Sequence, residues 1–411
     1  MKDIYGILKE RGFIEGVTDE EGLRGLLGSR EITCYIGFDP TAPSLHVGSL
    51  IPIMSLVHMQ RAGHRIIALV GGGTVLIGDP SGKKEMRQIL TGEEVEKNSH
   101  GLKKQLSKYL DFGEGRALLL NNAEWLTRLN YIEFLRDIGR NFSVNRMLSA
   151  ESYRARLETG LNFVEFNYML LQAYDFLYLY REYDCLLQMG GSDQWGNIVA
   201  GVDLIRRVEG GAAYGMVFPL ITTATGEKMG KTAQGAIWLD PEHTSPYEYY
   251  QYWINTDDRD VERFLALFTL LSMEEVREYG RLKGADLRRA KEVLAFEATK
   301  VTHGEVDAKE AREASRGVFA GEEGSLESMP TTFLENKRLE RGIAAFELFA
   351  ETGLCSSKGE ARRLILQGGG YVNGRRLQET DERITKEHLW EGDIILRAGK
   401  KRYHRVVLKE G

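Results

Sequence analysis

Three times the chain runs through an apolar stretch straight into glycine: EITCYIGFDP at 31–40, HRIIALVGGG at 64–73 and CLLQMGG at 185–191. Short apolar runs bounded by turn residues suit strands buried on both faces, and such strands belong to parallel sheets. The intervening segments carry the crossovers. A Pro/Ser break (TAPS) leads into a helical stretch ending near Ala62, a polar amphipathic helix is predicted at 91–111, and ALLLNNAEW reads as a further strand. Strands alternating with helices imply an α/β body with a parallel sheet. In such bodies the functional loops lie at the carboxyl ends of the strands, where these glycines fall.

From about 245 to 318 apolar residues recur three or four apart and the pattern becomes helical. GEEGSLESMPTTFLENK follows with no sustained period and reads as a linker. After Ile343 a compact unit of two short helices and several short strands is expected. The division is therefore 1–222, an α/β catalytic body; 223–325, a loop and an α-helical domain; 326–342, a linker; and 343–411, a small α+β domain. The formal charge of −6 is unevenly spread, since residues 353–411 hold 13 Lys and Arg against 8 Asp and Glu. A basic tail on an acidic body suits a polyanion, although a solvated surface has the same composition. The longest apolar runs fall short of the roughly 18 residues of a membrane span, and the N-terminus lacks the pattern of a signal peptide. Three cysteines (Cys34, Cys185 and Cys355), far apart and in no metal-ligand spacing, read as reduced thiols of a cytoplasmic protein.

Three motifs carry chemistry. In GFDPTAPSLHVGSL, His46 and Ser49 are three apart at a helix start, where unpaired N–H groups favour anions. A phosphate-facing imidazole fits the tetrapeptide, and by itself the tetrapeptide favours a histidine satisfied inside the core. In EKMGKT, Lys228 and Lys231 bracket a glycine, as in a cationic loop over a triphosphate or a loop of solvated lysines. On the apolar helix LNFVEFNYMLLQAYDFLYLY, Tyr168, Gln172 and Asp175 share one stripe. Buried polar groups of this kind need partners, either within a core network or from a ligand in a pocket.

The order GFDP–HVGS, apolar helix, KMGKT resembles the class I aminoacyl-tRNA synthetases, with their HIGH-like and KMSKS-like signatures on a Rossmann core. GFDPTAPSLHVG, ALVGGGTVLIGDPSGKK, NFSVNRML, YMLLQAYDF, GGSDQWGN and TSPYEYYQYWINTDDRDV resemble the bacterial tyrosyl-tRNA synthetase family in particular. SSKGEARRLILQGGGYVNGRRL and EGDIILRAGKKRYHRV resemble the RNA-binding fold first seen in a ribosomal small-subunit protein. The resemblance implies a Rossmann-type body that activates tyrosine with ATP and transfers it to tRNA(Tyr). Thr41, His46, Ser49, Lys83, Arg87, Lys228 and Lys231 are then the catalytic set. Tyr35, Asp39, Asp79, Tyr168, Gln172, Asp175, Gln188 and Gln194 line the tyrosine site. Gly37, Asp39, His46, Gly48, Asp193 and Lys231 meet ATP, which brings Mg²⁺ without a fixed protein metal site. Lys358, Arg362, Arg363, Arg375, Lys400, Lys401 and Arg402 meet the tRNA. A homodimer is implied, with FLRDIGRNFSVNRML as its candidate surface and neither DNA nor membrane as a partner. Two departures stand out: Ser49 replaces the usual second histidine, and Pro52 falls inside the same helix.

Two alternatives share these motifs. A tryptophanyl-tRNA synthetase has the same core, although Tyr35 with Asp175 suits a phenol better than an indole. An RNA-binding protein with a vestigial synthetase site would be marked by changes such as Ser49 and Pro52.

Overall fold

The computed structural model describes residues 3–81, 90–157, 160–232, 235–320, 329–389, 392–399 and 402–409, without the side chains of 151, 152, 155, 231, 232 and 317–320. Six strands form the central sheet: β1 (Gly16–Val17), β2 (Thr33–Phe38), β3 (Arg65–Val70), β4 (Ala117–Asn121), β5 (Cys185–Gly191) and β6 (Tyr214–Phe218), in the order β1-β6-β5-β2-β3-β4. All neighbours are parallel except β1 against β6. From β2 the chain steps outward through β3 to β4, then returns to the other side of β2 with β5. The crevice over the β2 and β5 ends is thus a topological switch point.

Period-two alternation sends the side chains of each strand into two cores. Cys34, Ile36, Phe38, Ile66 and Ala68 enter one core, with Met54 and Leu56 of the helix Leu50–Arg61. Tyr35, Ile67 and Leu69 enter the other, with Phe176 and Leu177 of the helix Phe163–Tyr183. Pro52 is the third residue of Leu50–Arg61, where its missing N–H had no intrahelical acceptor to lose, and the helix runs unbroken to Arg61. ALLLNNAEW is only partly a strand. β4 stops at Asn121, whose side-chain oxygen accepts the Ala123 N–H at 2.9 Å and turns the chain into the short helix Ala123–Leu126.

A two-stranded pair, β7 (Lys231–Thr232) and β8 (Gly235–Ala236), leads into the helices Pro246–Ile254, Val261–Phe268, Met273–Gly280, Leu287–His303 and Glu305–Ala320. Their apolar stripes do not form a separate core. Trp253, Phe264, Leu265 and Leu294 pack in the same cluster as β2 and the helix Leu50–Arg61.

The C-terminal unit has its own core, including Leu339, Phe349, Ile365, Leu396 and Val406. Its strands are β9 (Thr331–Leu334), β10 (Ile343–Ala344), β11 (Gly370–Val372), β12 (Arg375–Arg376), β13 (Arg383–Ile384), β14 (Asp393–Ala398) and β15 (Arg402–Leu408). The main sheet runs β12-β11-β14-β15-β9, and β10 pairs with β13. The stretch read as a linker therefore carries structure, namely β9 and the helix Asn336–Arg341. β9 is too short for periodicity to reveal, and it is held by parallel pairing with β15, from Thr331 opposite Arg405 to Leu334 opposite Leu408.

Candidate active site

A cavity of about 410 Å³ opens over the carboxyl ends of β2, β3 and β5. Tyr35, Gly37, Asp39, Thr41, His46, Gly48, Ser49, Asp79, Tyr168, Gln172, Asp175, Gln188, Asp193 and Gln194, all singled out from the sequence, line it together. β2 delivers Tyr35 and Gly37, the helix Phe163–Tyr183 its polar stripe, β5 Gln188, and the turn after it Asp193 and Gln194.

Asp175 and Tyr35 belong to the buried end. Asp175 is 2% exposed, and its carboxylate accepts the Trp125 indole N–H at 2.7 Å and the Asn122 amide at 2.9 Å. Burial pushes its pKa up to about 7; those two hydrogen bonds pull the other way, and the charge of Asp39 adds to the rise. The Tyr35 hydroxyl is held neutral, first by burial and then by the negative charge of Asp175. That hydroxyl, the Gln172 Oε1 and the Gln188 Oε1 are buried without a hydrogen-bond partner among the described residues. Orphaned polar atoms cost stability in a closed core, so a cavity lined by three of them fits a polar ligand.

A second polar network runs along the wall. The Tyr168 hydroxyl and the Thr74 hydroxyl each donate to Asp39 at 3.4 Å, and Asn122 donates to Thr74 at 3.0 Å. Gln194 donates to Asp79 at 2.7 Å, and the Ser81 N–H to the other Asp79 oxygen at 2.9 Å. These carboxylates give the wall negative charge, suited to an ammonium. Asn122, Trp125 and Thr74 escaped the sequence reading. The paired asparagines directly after an apolar strand were the available signal.

At the other end, the His46 Nδ1 accepts the Gly48 N–H at 3.0 Å and caps the turn Val47–Ser49. Nε2 therefore carries the ring proton when the imidazole is neutral. The Ser49 side chain makes no capping bond to the helix that follows. The KMGKT segment is pinned against this turn through the backbone: the Ile237 N–H donates to the Gly230 carbonyl at 3.0 Å and the Val47 N–H to the Ile237 carbonyl at 2.9 Å. The close approach requires glycine at position 48, because a Cβ there would stand 2.7 Å from the His46 Cε1 and 3.3 Å from the Met229 carbonyl oxygen. Trp238, also missed, lines the cavity with its ring centroid 6.3 Å from that of His46.

Lys228 is exposed and does not line the cavity; its backbone bridges Thr222 across a hairpin. Lys231 lies in β7 with its side chain outside the description, and Lys83, Arg87, Lys400 and Lys401 lie outside the described residues. Among the described residues no cluster of three His, Cys, Asp or Glu is arranged to hold a metal. On the tail, Lys358 pairs with Glu347 at 2.7 Å, Arg375 with Glu382, and Arg362 covers the Phe346 ring at 3.9 Å. Arg363 is exposed, whereas Arg402 turns inward to the Leu354 carbonyl at 2.7 Å.

A parallel-sheet crevice with a histidine-capped turn on one lip and a lysine-bearing segment pinned to it defines the class I aminoacyl-tRNA synthetases, and residues 28–320 match the family described as tRNA synthetases class I (W and Y). Residues 322–406 match the tyrosine–tRNA ligase SYY-like C-terminal domain. The chain is 60% identical to the tyrosine–tRNA ligase of Desulfatibacillum aliphaticivorans, over 99% of both chains. It is 56% identical to that of Caldanaerobacter subterraneus subsp. tengcongensis, over 99% of this chain and 100% of the relative. The crystal structure of a C-terminally truncated Aspergillus nidulans mitochondrial tyrosyl-tRNA synthetase superposes with a TM-score of 0.70 at 31% identity, over 78% of this chain and 95% of that one. Within class I, this chain belongs to the tyrosyl-tRNA synthetase family.

Proposed function

We propose that the chain activates L-tyrosine with ATP, releasing pyrophosphate, and then transfers the tyrosyl group to the 3′-terminal adenosine of tRNA(Tyr). The observation that carries this reading is the buried cavity end, where the Tyr35 hydroxyl, without a partner among the described residues, and the Asp175 carboxylate line one cavity and suit a ligand bearing its own hydroxyl. The phenol of tyrosine donates to Asp175 and accepts from Tyr35. Asp79, Tyr168 and Gln172 hold the ammonium group, and Asp39, Gln188 and Gln194 assist with the amino acid or the adenylate.

That carboxylate attacks the α-phosphorus of ATP. A P–O bond to the α-phosphate forms as the bond to pyrophosphate breaks. A carboxylate needs no general base, so catalysis rests on alignment and on stabilising charge at the phosphoryl oxygens. His46, through its Nε2–H, together with Thr41, Ser49, Lys83, Arg87, Lys228 and Lys231 serves that charge. Gly37, Gly48 and Asp193 border the nucleotide. Mg²⁺ arrives with the phosphates as part of the substrate. A ribose hydroxyl of the tRNA then attacks the tyrosyl carbonyl and AMP leaves.

The basic tail residues named above meet tRNA phosphates. Two copies associate through the segment FLRDIGRNFSVNRML, where Leu135 and Val144 are exposed, while Phe134, Ile138 and Met147 of the same segment belong to the core. The buried free thiols Cys34, Cys185 and Cys355 suit a reducing cytoplasm.

Amino-acid-dependent ATP–pyrophosphate exchange tests the reading. Tyrosine is expected to support exchange, whereas phenylalanine and tryptophan are not; exchange driven by tryptophan would favour the indole alternative. Tyr35→Phe is expected to lower kcat/KM for tyrosine roughly 10- to 100-fold, the worth of one buried hydrogen bond. The melting temperature should hold or rise, because the deleted hydroxyl has no partner among the described residues. An unchanged kcat/KM would remove Tyr35 from the phenol end.

A further inference from the structure

Residues 221–230 form a hairpin whose return strand carries Lys228. The Thr223 N–H donates to the Glu227 carbonyl at 2.8 Å, the Gly226 N–H to the Thr223 carbonyl at 2.8 Å, and the Met229 N–H to the Ile221 carbonyl at 3.2 Å. With Gly226 at φ 85°, this is a three-residue loop over a tight turn, which accounts for the sequence TATG. The hairpin does not stand alone. The Asp260 carboxylate, on the helical region, accepts the Ala224 N–H at 2.7 Å. Its other oxygen accepts Arg263 at 2.6 Å, and the same Arg263 nitrogen donates to the Thr222 carbonyl at 2.7 Å. The Gly230 N–H donates to the Tyr252 hydroxyl at 3.3 Å, so the far end of the return strand is held from the helical region as well.

Asp260 has an obvious local alternative that it does not take. It sits at the N-cap of the helix Val261–Phe268, where aspartate ordinarily turns back to accept a first-turn N–H. Here the side chain makes no capping bond, is 3% exposed, and reaches across the chain to the hairpin instead. A buried carboxylate is costly unless fully paired, so its bonds to Ala224 and Arg263 fix the hairpin's outgoing strand at a defined place.

We propose that Asp260, with Arg263 and Tyr252, is a positioning residue for the first step of the reaction: it braces the Lys228 hairpin from the helical region and thereby sets where the KMGKT segment lies over the His46–Ser49 turn. The brace rests on the reading that the lysine segment serves ATP. It touches neither substrate, so its effect falls on the chemical step and leaves the tyrosine pocket alone.

The test is tyrosine-dependent pyrophosphate exchange alongside equilibrium binding of tyrosine, on the full chain. Asp260→Ala is expected to lower kcat roughly 10- to 100-fold, the loss that attends a small misplacement of a catalytic group, with the tyrosine Kd unchanged. Asp260→Asn, which keeps an acceptor for Ala224, is expected to recover part of the loss. Ala224→Pro deletes the same bond from the hairpin side without altering the helical region. Its place as second residue of the turn is one that proline favours, so it tests the brace even if Asp260→Ala fails to fold. The expected result is a similar fall in kcat. A kcat equal to that of the unaltered chain in Ala224→Pro, or a parallel loss of tyrosine affinity in both variants, would overturn the proposal. Lys228→Ala separates it from the underlying reading. A loss there with none in the brace variants removes only the brace, whereas a neutral Lys228→Ala removes the role of the lysine segment and the brace with it.

Discussion

Asp175 joins local sequence to long-range chemistry. Its carboxyl is raised to about 7 by burial, against an ordinary value near 4 in an unfolded chain. Between those limits the folded state holds a proton that the unfolded state has released. The contribution of Asp175 to stability is therefore least unfavourable at acid pH and falls as pH rises toward 7, by about 1.4 kcal/mol for each pH unit fully within the window. Urea unfolding of the ligand-free protein from about pH 5 to about pH 7 is expected to show this decline superimposed on other groups. Asp175→Asn should flatten it by the amount due to one carboxyl, whatever its offset in absolute stability. Identical slopes for the two proteins would count against a raised pKa. The residue itself was legible, because helical spacing from Tyr168 through Gln172 put it on a polar stripe of an apolar helix. Asn122 and Trp125, which hold it, were not, since they lie about 50 residues away in sequence and only tertiary pairing brings them together.

The turn Val47–Ser49 is the element on which the cavity and the KMGKT segment converge. Gly48→Ala would force a methyl group between the His46 ring and the Met229 carbonyl, displacing the imidazole and the lysine segment together. The expected result is a roughly 100-fold fall in kcat for pyrophosphate exchange with the tyrosine Kd unchanged. A normal kcat would show that the turn and the segment need not meet during the reaction. What the sequence shows of the elements follows the length of their signal. β2, β3 and β5 announce themselves by apolar runs ending in glycine, and the paired placement of β2 beside β5 follows only from topology. β1, β7, β8 and β12 are two residues long, below any periodicity, and exist because a partner strand is present. The contact between the KMGKT segment and the HVGS turn is likewise backbone to backbone, and residue types alone do not encode it.

Over the whole molecule, the helical region and the sheet share a hydrophobic cluster, whereas the C-terminal unit keeps a core of its own. Removal of everything after Ala320 takes away the complete C-terminal sheet, including β9, and leaves the shared cluster intact. Tyrosine-dependent pyrophosphate exchange is expected to survive this truncation, whereas aminoacylation of tRNA(Tyr) should be severely reduced. In the full chain, raising salt should weaken aminoacylation far more than exchange, because phosphate contacts release counterions. Full aminoacylation by the truncated chain would remove the tail from tRNA recognition.

β15 lies between β14 and β9 in that sheet, and among the described strands it comes after both in the chain. On the ribosome the tyrosine-activating body can collapse while β9 still waits, more than sixty residues ahead of its partner. The nascent chain thus completes its sheet-and-helix body before its C-terminal sheet, and a message that stops short of residue 402 yields a protein whose C-terminal sheet has lost its keystone.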